Sequence, residues 1–267
     1  MHQIRRAFAS LVAPGAGRLD GNLDHGALLI AHSIDPSMVV QDQFARLDLL
    51  ADQSNATTAA ELALSLFGGA GHDPAIHFAG NQRQYYDANN SLLHRVLDRR
   101  IGIPISLAVL LIEVGRRRDI SLHGIGMPGH FLVGSNQGMI DAFHGGLMLD
   151  EQGCAQLYRR LAGPTAVLPE HALDATPPAM ILKRMLLNLS ALGADQQQRR
   201  MLRAVRSLLA AFPEASHRDH VQHAYAAAEV GQFDEAAAAA ERALETIPEQ
   251  VRDKLQVQID GWRARLN

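Results

Sequence analysis

The chain has 267 residues, 47% of them hydrophobic and 20% charged, with a formal net charge of −3. These values describe a globular chain of one large or two modest domains, with no basic footprint for nucleic acid. No apolar run approaches the ~20 residues that a membrane helix needs, and the one cysteine, Cys154, cannot form an internal disulfide, so the expected location is the cytoplasm. In chain order, Ile4, Phe8 and Leu11 predict a short amphipathic helix, read in preference to a signal peptide because Pro14 breaks its apolar stretch. Three helical stretches follow. Leu28, Leu29, Ala31 and Ile34 end at Asp35-Pro36. Phe44, Leu47, Leu49 and Leu50 form the second. Ala60, Leu62, Leu64, Leu66 and Phe67 form the third, which stops at Gly68-Gly69.

The middle of the chain mixes periods. Asn90 or Ser91 is placed to cap a helix running through Arg99, with Tyr85 and Tyr86 packing over it. Gly102-Ile103-Pro104 opens a second helix, with Pro104 in the first turn, where a missing N–H costs nothing. That helix buries Leu107, Leu110, Leu111 and Val114 and ends near Arg116-Arg117-Arg118, cations that suit a helix C-terminus. Short strands are predicted at 122–125, 130–133 and 139–143, the last two joined by a Ser135-Asn136-Gln137-Gly138 turn.

The hairpin carries the chemistry. Strand residues alternate faces. A register pairing 130 with 141, or 130 with 143, therefore sets His130 and Asp141 on one face within reach. An aspartate bound to one ring nitrogen fixes the tautomer and leaves the other nitrogen free to act as a base. A helix N-terminus facing the pair stabilises an anion, and Ser106 is the hydroxyl at the Gly102–Ser106 start. Cys154 follows Asp150 and Glu151, neighbours that raise a thiol pKa and so disfavour a nucleophile.

From about 176 the chain is helical and repetitive. Ala204, Leu209 and Phe212-Pro213-Glu214 recur as Ala239, Leu244 and Ile247-Pro248-Glu249, a spacing that resembles tetratricopeptide repeats. His217, His220 and His223 lie three apart on one predicted helix and are read as solvated surface histidines, because such steps drift around a helix. His72 and His77 flank Asp73-Pro74 and read as loop residues.

Residues from about 27 to 147 resemble the bacterial invasion-regulator B family. The carrying motifs are Asn90-Ser91-Leu92, Arg99-Arg100-Ile-Gly-Ile-Pro-Ile-Ser-Leu107, Pro128-Gly-His-Phe-Leu-Val133 and Ile140-Asp-Ala-Phe143. The resemblance implies an α+β, transglutaminase-like (papain-like) core with a small antiparallel sheet, an N-terminal helical layer and an all-α tetratricopeptide-like tail. The expected domains are 1–175 and 176–267. Transglutaminase-like enzymes place a cysteine at a helix start and a histidine and an aspartate on neighbouring strands. His130 and Asp141 match the last two, while Pro104 falls at the cysteine position. Asp141-Ala142-Phe143 stands where family members have Asp-Pro-Phe.

Two function classes follow. The first is a non-catalytic protein-interaction or regulatory protein that binds a protein or peptide, with neither nucleic acid nor membrane as partner and no cofactor or metal. The alternative is a hydrolase or acyltransferase acting on amide or ester bonds through Ser106, His130 and Asp141. Asn90, Gly102 and Pro104 are the expected cleft-lining residues in either case. Oligomeric state is not readable from the sequence.

Overall fold

The computed structural model describes residues 1–14, 21–68 and 76–266. Gly69, His72, Asp73 and Pro74, named above as a helix stop and a loop, lie outside the described residues. The chain separates into two compact units: one formed by Leu19–Ala31 and Ser37–Met185, the other by Met1–Arg18, His32–Pro36 and Leu186–Asn267. This division differs from a single boundary near 175, because the N-terminal helix belongs with the C-terminal helices rather than with the sheet.

The three helical stretches are α2 (Leu23–Ile34), which is in the first unit as far as Ala31, and α3 (Val40–Gln53) and α4 (Ala59–Phe67), both in the first unit. Leu47, Leu50, Leu62 and Leu66 are buried, but Leu49 and Leu64 are about half exposed. Each lies off the inward stripe of its helix, which a run of leucines conceals. Helix α4 starts in a reciprocal cap: the Thr58 side chain accepts from Glu61 N, and the Glu61 carboxylate accepts from Thr58 N.

Helix α5 (Leu93–Arg99) is preceded by a 3₁₀ turn at Ala88–Asn90, and its N-cap is Leu92, so neither Asn90 nor Ser91 caps it. The 3₁₀ turn ties up that stretch, and Asn90 instead braces the preceding loop through its amide. The central helix α6 (Pro104–Arg117) is buried on nearly every side, from Pro104 through Leu111, as expected for a helix enclosed by other layers. It packs against α3, α4 and the sheet.

Two short strands, β1 (Ala79–Gly80) and β2 (Ile101–Gly102), pair in parallel, a feature the sequence reading did not include. The main sheet is antiparallel. Its strands β3 (His123–Ile125), β4 (Leu132–Ser135), β5 (Gly138–Asp141), β6 (Leu147–Leu149) and β7 (Ala175–Thr176) run in the order β6-β5-β4-β3-β7. The β4–β5 hairpin pairs Ser135 with Gly138 and Val133 with Ile140. Gly138 sits at φ +126°, a backbone conformation that side chains disfavour, which is why glycine closes this tight turn. Helix α7 (Glu151–Ala162) covers one sheet face, where Cys154 and Leu157 pack with Ile125, Met127 and Leu132.

In the second unit, α1 (His2–Val12) buries Phe8, Leu11 and Val12, and Phe8 meets Phe212 edge-on at 5.6 Å. Helices α9 (Arg199–Leu209), α10 (His217–Glu229), α11 (Phe233–Leu244) and α12 (Glu249–Ala264) pack consecutively. The repeated sequence maps helix onto helix, α9 onto α11 and α10 onto α12. Ala204, Phe212, Ala239 and Ile247 are all buried, so the small and large residues recur at equivalent core positions. The α10 histidines are not a solvated row: His223 is buried and its Nε2 lies 2.7 Å from Glu235 Oε1. The periodicity missed this because the α11 carboxylate that holds it lies 12 residues away.

Candidate functional site

Strand β4 begins at Leu132 and β5 ends at Asp141, so His130 lies in the loop before the hairpin; the β4–β5 register, extended past Val133 and Ile140, sets Leu132 opposite Asp141 and His130 level with Phe143. This is the second of the two registers that bring His130 and Asp141 to one face. The strand ends at Asp141, where the chain turns into a 3₁₀ helix at Ala142–His144. That turn matters chemically. Asp141 accepts from the backbone N–H groups of Phe143 and His144 on Oδ1, at 3.2 Å each. His130 Nε2 lies 2.9 Å from the same oxygen, and His144 Nδ1 lies 2.7 Å from Oδ2. One carboxylate thus holds two imidazoles, whose rings stack at 5.5 Å and 25°.

An ionised carboxylate only accepts, so each ring nitrogen facing Asp141 carries a proton. Burial alone would raise the Asp141 carboxyl, but the hydrogen bonds and charges of His130 and His144 outweigh it and hold it below the usual carboxylate range. The His130 and Asp141 side chains are 4% and 2% exposed, whereas His144 is 40% exposed and is the cluster's open side.

The loop carrying His130 is held in its turn. His130 N donates to Met127 O, and Arg184 from α8 (Pro178–Asp195) donates to His130 O at 2.8 Å. Around the rings stand aromatic groups. Phe143 lies edge-on to His130, His144 and Tyr85, and Tyr85 edge-on to Tyr86. Tyr86 is 73% exposed. The tyrosines therefore border the cluster instead of covering α5. Burial, and then Tyr86, raise the Tyr85 phenol above its ordinary value.

Ser106 is not brought to His130. Its hydroxyl donates to Asn90 O at 2.6 Å and accepts from Ile103 N at 3.1 Å, and the residue is fully buried. The serine thus stitches the start of α6 to the 3₁₀ turn. Asn90 is likewise buried: its amide donates to Gln84 O and Tyr85 O, and its carbonyl oxygen accepts from Asn81. Pro104 begins α6, and Gly102 lies so close to Ser106 that a Cβ there would meet Oγ at 2.8 Å. All three expected cleft residues are thus buried where the 3₁₀ turn, β2 and the start of α6 meet. Cys154 is buried beneath the sheet, and its thiol is pushed up to about 11 by burial, then by Asp150, Asp141 and Glu151.

His144, Arg184 and Tyr85 were missed as site residues. His144 carried a signal, since it is three residues after Asp141, the span of a single 3₁₀ turn. Arg184 carried none, because it arrives from a distant helix. A cavity of about 510 Å³ in the same unit is lined by Leu23, Ile112, Leu122, His123 and Ile181 and includes neither His130 nor His144.

Residues 37–187 match the family described as the transglutaminase-like superfamily, more than half of the chain. The chain belongs to the transglutaminase-like superfamily. It is 40% identical over 127 residues to a UPF0162 protein of Xylella fastidiosa, a match covering 45% of each chain. It is 31% identical over 143 residues to a UPF0162 protein of Vibrio cholerae, covering 51% of this chain and 53% of that one. It is 32% identical over 155 residues to F-box only protein 21 of Mus musculus, covering 52% of this chain and 24% of the mouse protein. The matches thus span about half or less of each relative. No solved structure matches. Among the described residues no helix is long and apolar enough to cross a membrane.

Proposed function

We propose that this chain is a recognition module of the invasion-regulator B kind, one that binds a protein or peptide and transfers no acyl group through a side-chain nucleophile. The observation that carries this reading is the state of Ser106. Its hydroxyl is engaged by Asn90 O and Ile103 N. Pro104 occupies the helix start where the family resemblance puts a cysteine, and the chain's single thiol is buried with a raised pKa. An activated nucleophile needs its base within hydrogen-bond reach, and here the base and the hydroxyl have separate partners. The exposed Tyr86 and half-exposed His144 give the cluster an amphipathic rim of the sort that binds peptides. Helices α9–α12, read as tetratricopeptide-like, offer a second surface of a cytoplasmic interaction protein. A domain covering 24% of a mouse F-box protein and about half of bacterial relatives is one used in chains of different makeup, which supports a module.

The test has two arms. A serine-directed acylating probe is expected to label neither wild type nor Ser106→Ala; labelling of wild type that Ser106→Ala abolishes overturns the reading in favour of the Ser106, His130 and Asp141 hydrolase. Affinity capture from native cytoplasm is expected to recover a protein that Tyr86→Ala loses. Capture unaffected by Tyr86→Ala and His144→Ala counts against this rim as the binding surface.

A further inference from the structure

We infer that His130, Asp141 and His144 form a binding site for a divalent transition metal of the zinc type. Each residue offers a ligand atom, and the three lie within 4.8 Å of one another. Two imidazoles and a carboxylate suit a borderline ion such as zinc, whereas hard calcium and magnesium take oxygen ligands. Zinc bonds to nitrogen or oxygen of about 2.0–2.1 Å put neighbouring tetrahedral ligand atoms about 3.3–3.4 Å apart. The present separations of 2.9 Å from His130 to Oδ1 and 2.7 Å from His144 to Oδ2 are hydrogen-bond lengths, so each ring must move a few tenths of an ångström from the carboxylate, and the two ring nitrogens, now within 4.8 Å, must stand about 3.4 Å apart around the ion. His130 and His144 then present Nε2 and Nδ1 to the metal, each changing tautomer so that its proton moves from the nitrogen that faced Asp141 to the other ring nitrogen.

The surroundings are those of a prepared ligand set. The carboxylate is oriented by the backbone N–H groups of Phe143 and His144, and the His130 loop is pinned by Arg184 and by Met127 O. Outer contacts of this kind orient the ligands of protein metal sites. With three protein ligands, a tetrahedral ion keeps one position for water or an anionic group. His144, on the exposed side of the cluster, is where that position opens to solvent. The expectation of no metal rested on the α10 histidines, whose spacing gives no shared ligand set. The decisive residues are 11 and 3 apart, and only the hairpin and the 3₁₀ turn unite them. The inference does not depend on the recognition reading, since an ion can bind there with or without a protein partner.

The test uses the full chain, freed of metal by chelation and titrated with zinc chloride by calorimetry, with cobalt(II) absorption as a second readout. Wild type is expected to take one equivalent. His144→Ala, at a half-exposed position, is expected to weaken binding by more than ~100-fold, beyond the loss of an outer partner alone, with unchanged circular dichroism. His220→Ala is expected to bind as wild type does. Cobalt is expected to give the intense visible bands of a tetrahedral nitrogen and oxygen site, absent in His144→Ala. No zinc uptake by wild type, equal uptake by wild type and His144→Ala, or loss of uptake in His220→Ala overturns the inference.

Discussion

Asp141 and Ser106 show how the same region divides its polar groups between site and scaffold. Asp141 receives four donors, two from backbone and two from imidazoles. Replacing it by asparagine keeps the volume but presents an amide N–H₂ to one of the two rings. We expect Asp141→Asn to destabilise by ~1–3 kcal/mol, read as a lower urea midpoint at unchanged slope. Ser106→Ala is expected to cost about as much, ~1–3 kcal/mol, because it leaves Asn90 O and Ile103 N without their buried partner. The two differ in reach. Asp141→Asn alters the environment of the His130 and His144 ring protons in NMR, and Ser106→Ala leaves them in place. A large shift of those protons in Ser106→Ala would refute its assignment as scaffold.

The elements around the site are joined by close approach as much as by hydrogen bonds. Strand β1 crosses the 3₁₀ turn at Gly80, where an added Cβ would fall 2.4 Å from Phe143 O and 2.6 Å from its ring. A backbone carbonyl cannot rotate away as a flexible side chain can, so the turn that orients Asp141 must shift. Gly80→Ala is expected to cost ~1–3 kcal/mol as an overpacking change and to disturb the His144 ring, the element-level link between β1 and the cluster. Unaltered stability and an unaltered His144 resonance would show that this approach is not tight. The Thr58–Glu61 cap is a separate matter. Thr58→Ala is expected to lower stability by ~1 kcal/mol in thermal unfolding, leaving the histidine cluster unchanged.

Across the molecule, each unit has its own buried electrostatic anchor. In the helical unit, Glu235 accepts from Arg203 and from His223. Burial raises its carboxyl, but the hydrogen bonds to His223 and Arg203 and their charge prevail, moving it from 4.5 to about 2. A depressed carboxyl stabilises the fold fully above its unfolded value and loses that contribution as pH falls toward the folded value. The contribution of Glu235 therefore decays between pH 4.5 and about 2. We expect Glu235→Gln to be less stable than wild type by on the order of 2–3 kcal/mol near neutrality, with the gap narrowing as the urea titration is repeated at progressively lower pH. A gap that stays constant or widens in acid contradicts the assignment. The sheet unit has its own anchor. Asp24 and Glu113, both nearly fully buried, share Arg117 at 2.7 Å and 3.2 Å. Burial, and then Asp24, raise the Glu113 carboxyl.

The sequence by itself determined the helices, the hairpin and the family likeness, because each depends on neighbours within a turn or two. Pro104 at a helix start, Asp35-Pro36 at a helix end and Ser135 to Gly138 as a turn are local steric facts, and all three hold. Alternation along the predicted hairpin put His130 and Asp141 on one face, and the two do meet, although His130 lies in the loop before β4. Tertiary structure decided what those residues do. Whether Ser106 faces His130 or Asn90 depends on how the 3₁₀ turn at Ala88–Asn90 meets α6, and the hydroxyl donates to the buried Asn90 carbonyl. His144 joined the cluster because β5 ends at Asp141 in a tight turn, and Arg184 because α8 returns to the His130 loop. Tyr85 moved from the predicted helix cover to the site rim, since Phe143 offers it a ring edge. Periodicity records which face of an element is buried. It holds no record of which distant element covers that face, and that choice separates a catalytic serine from a structural one.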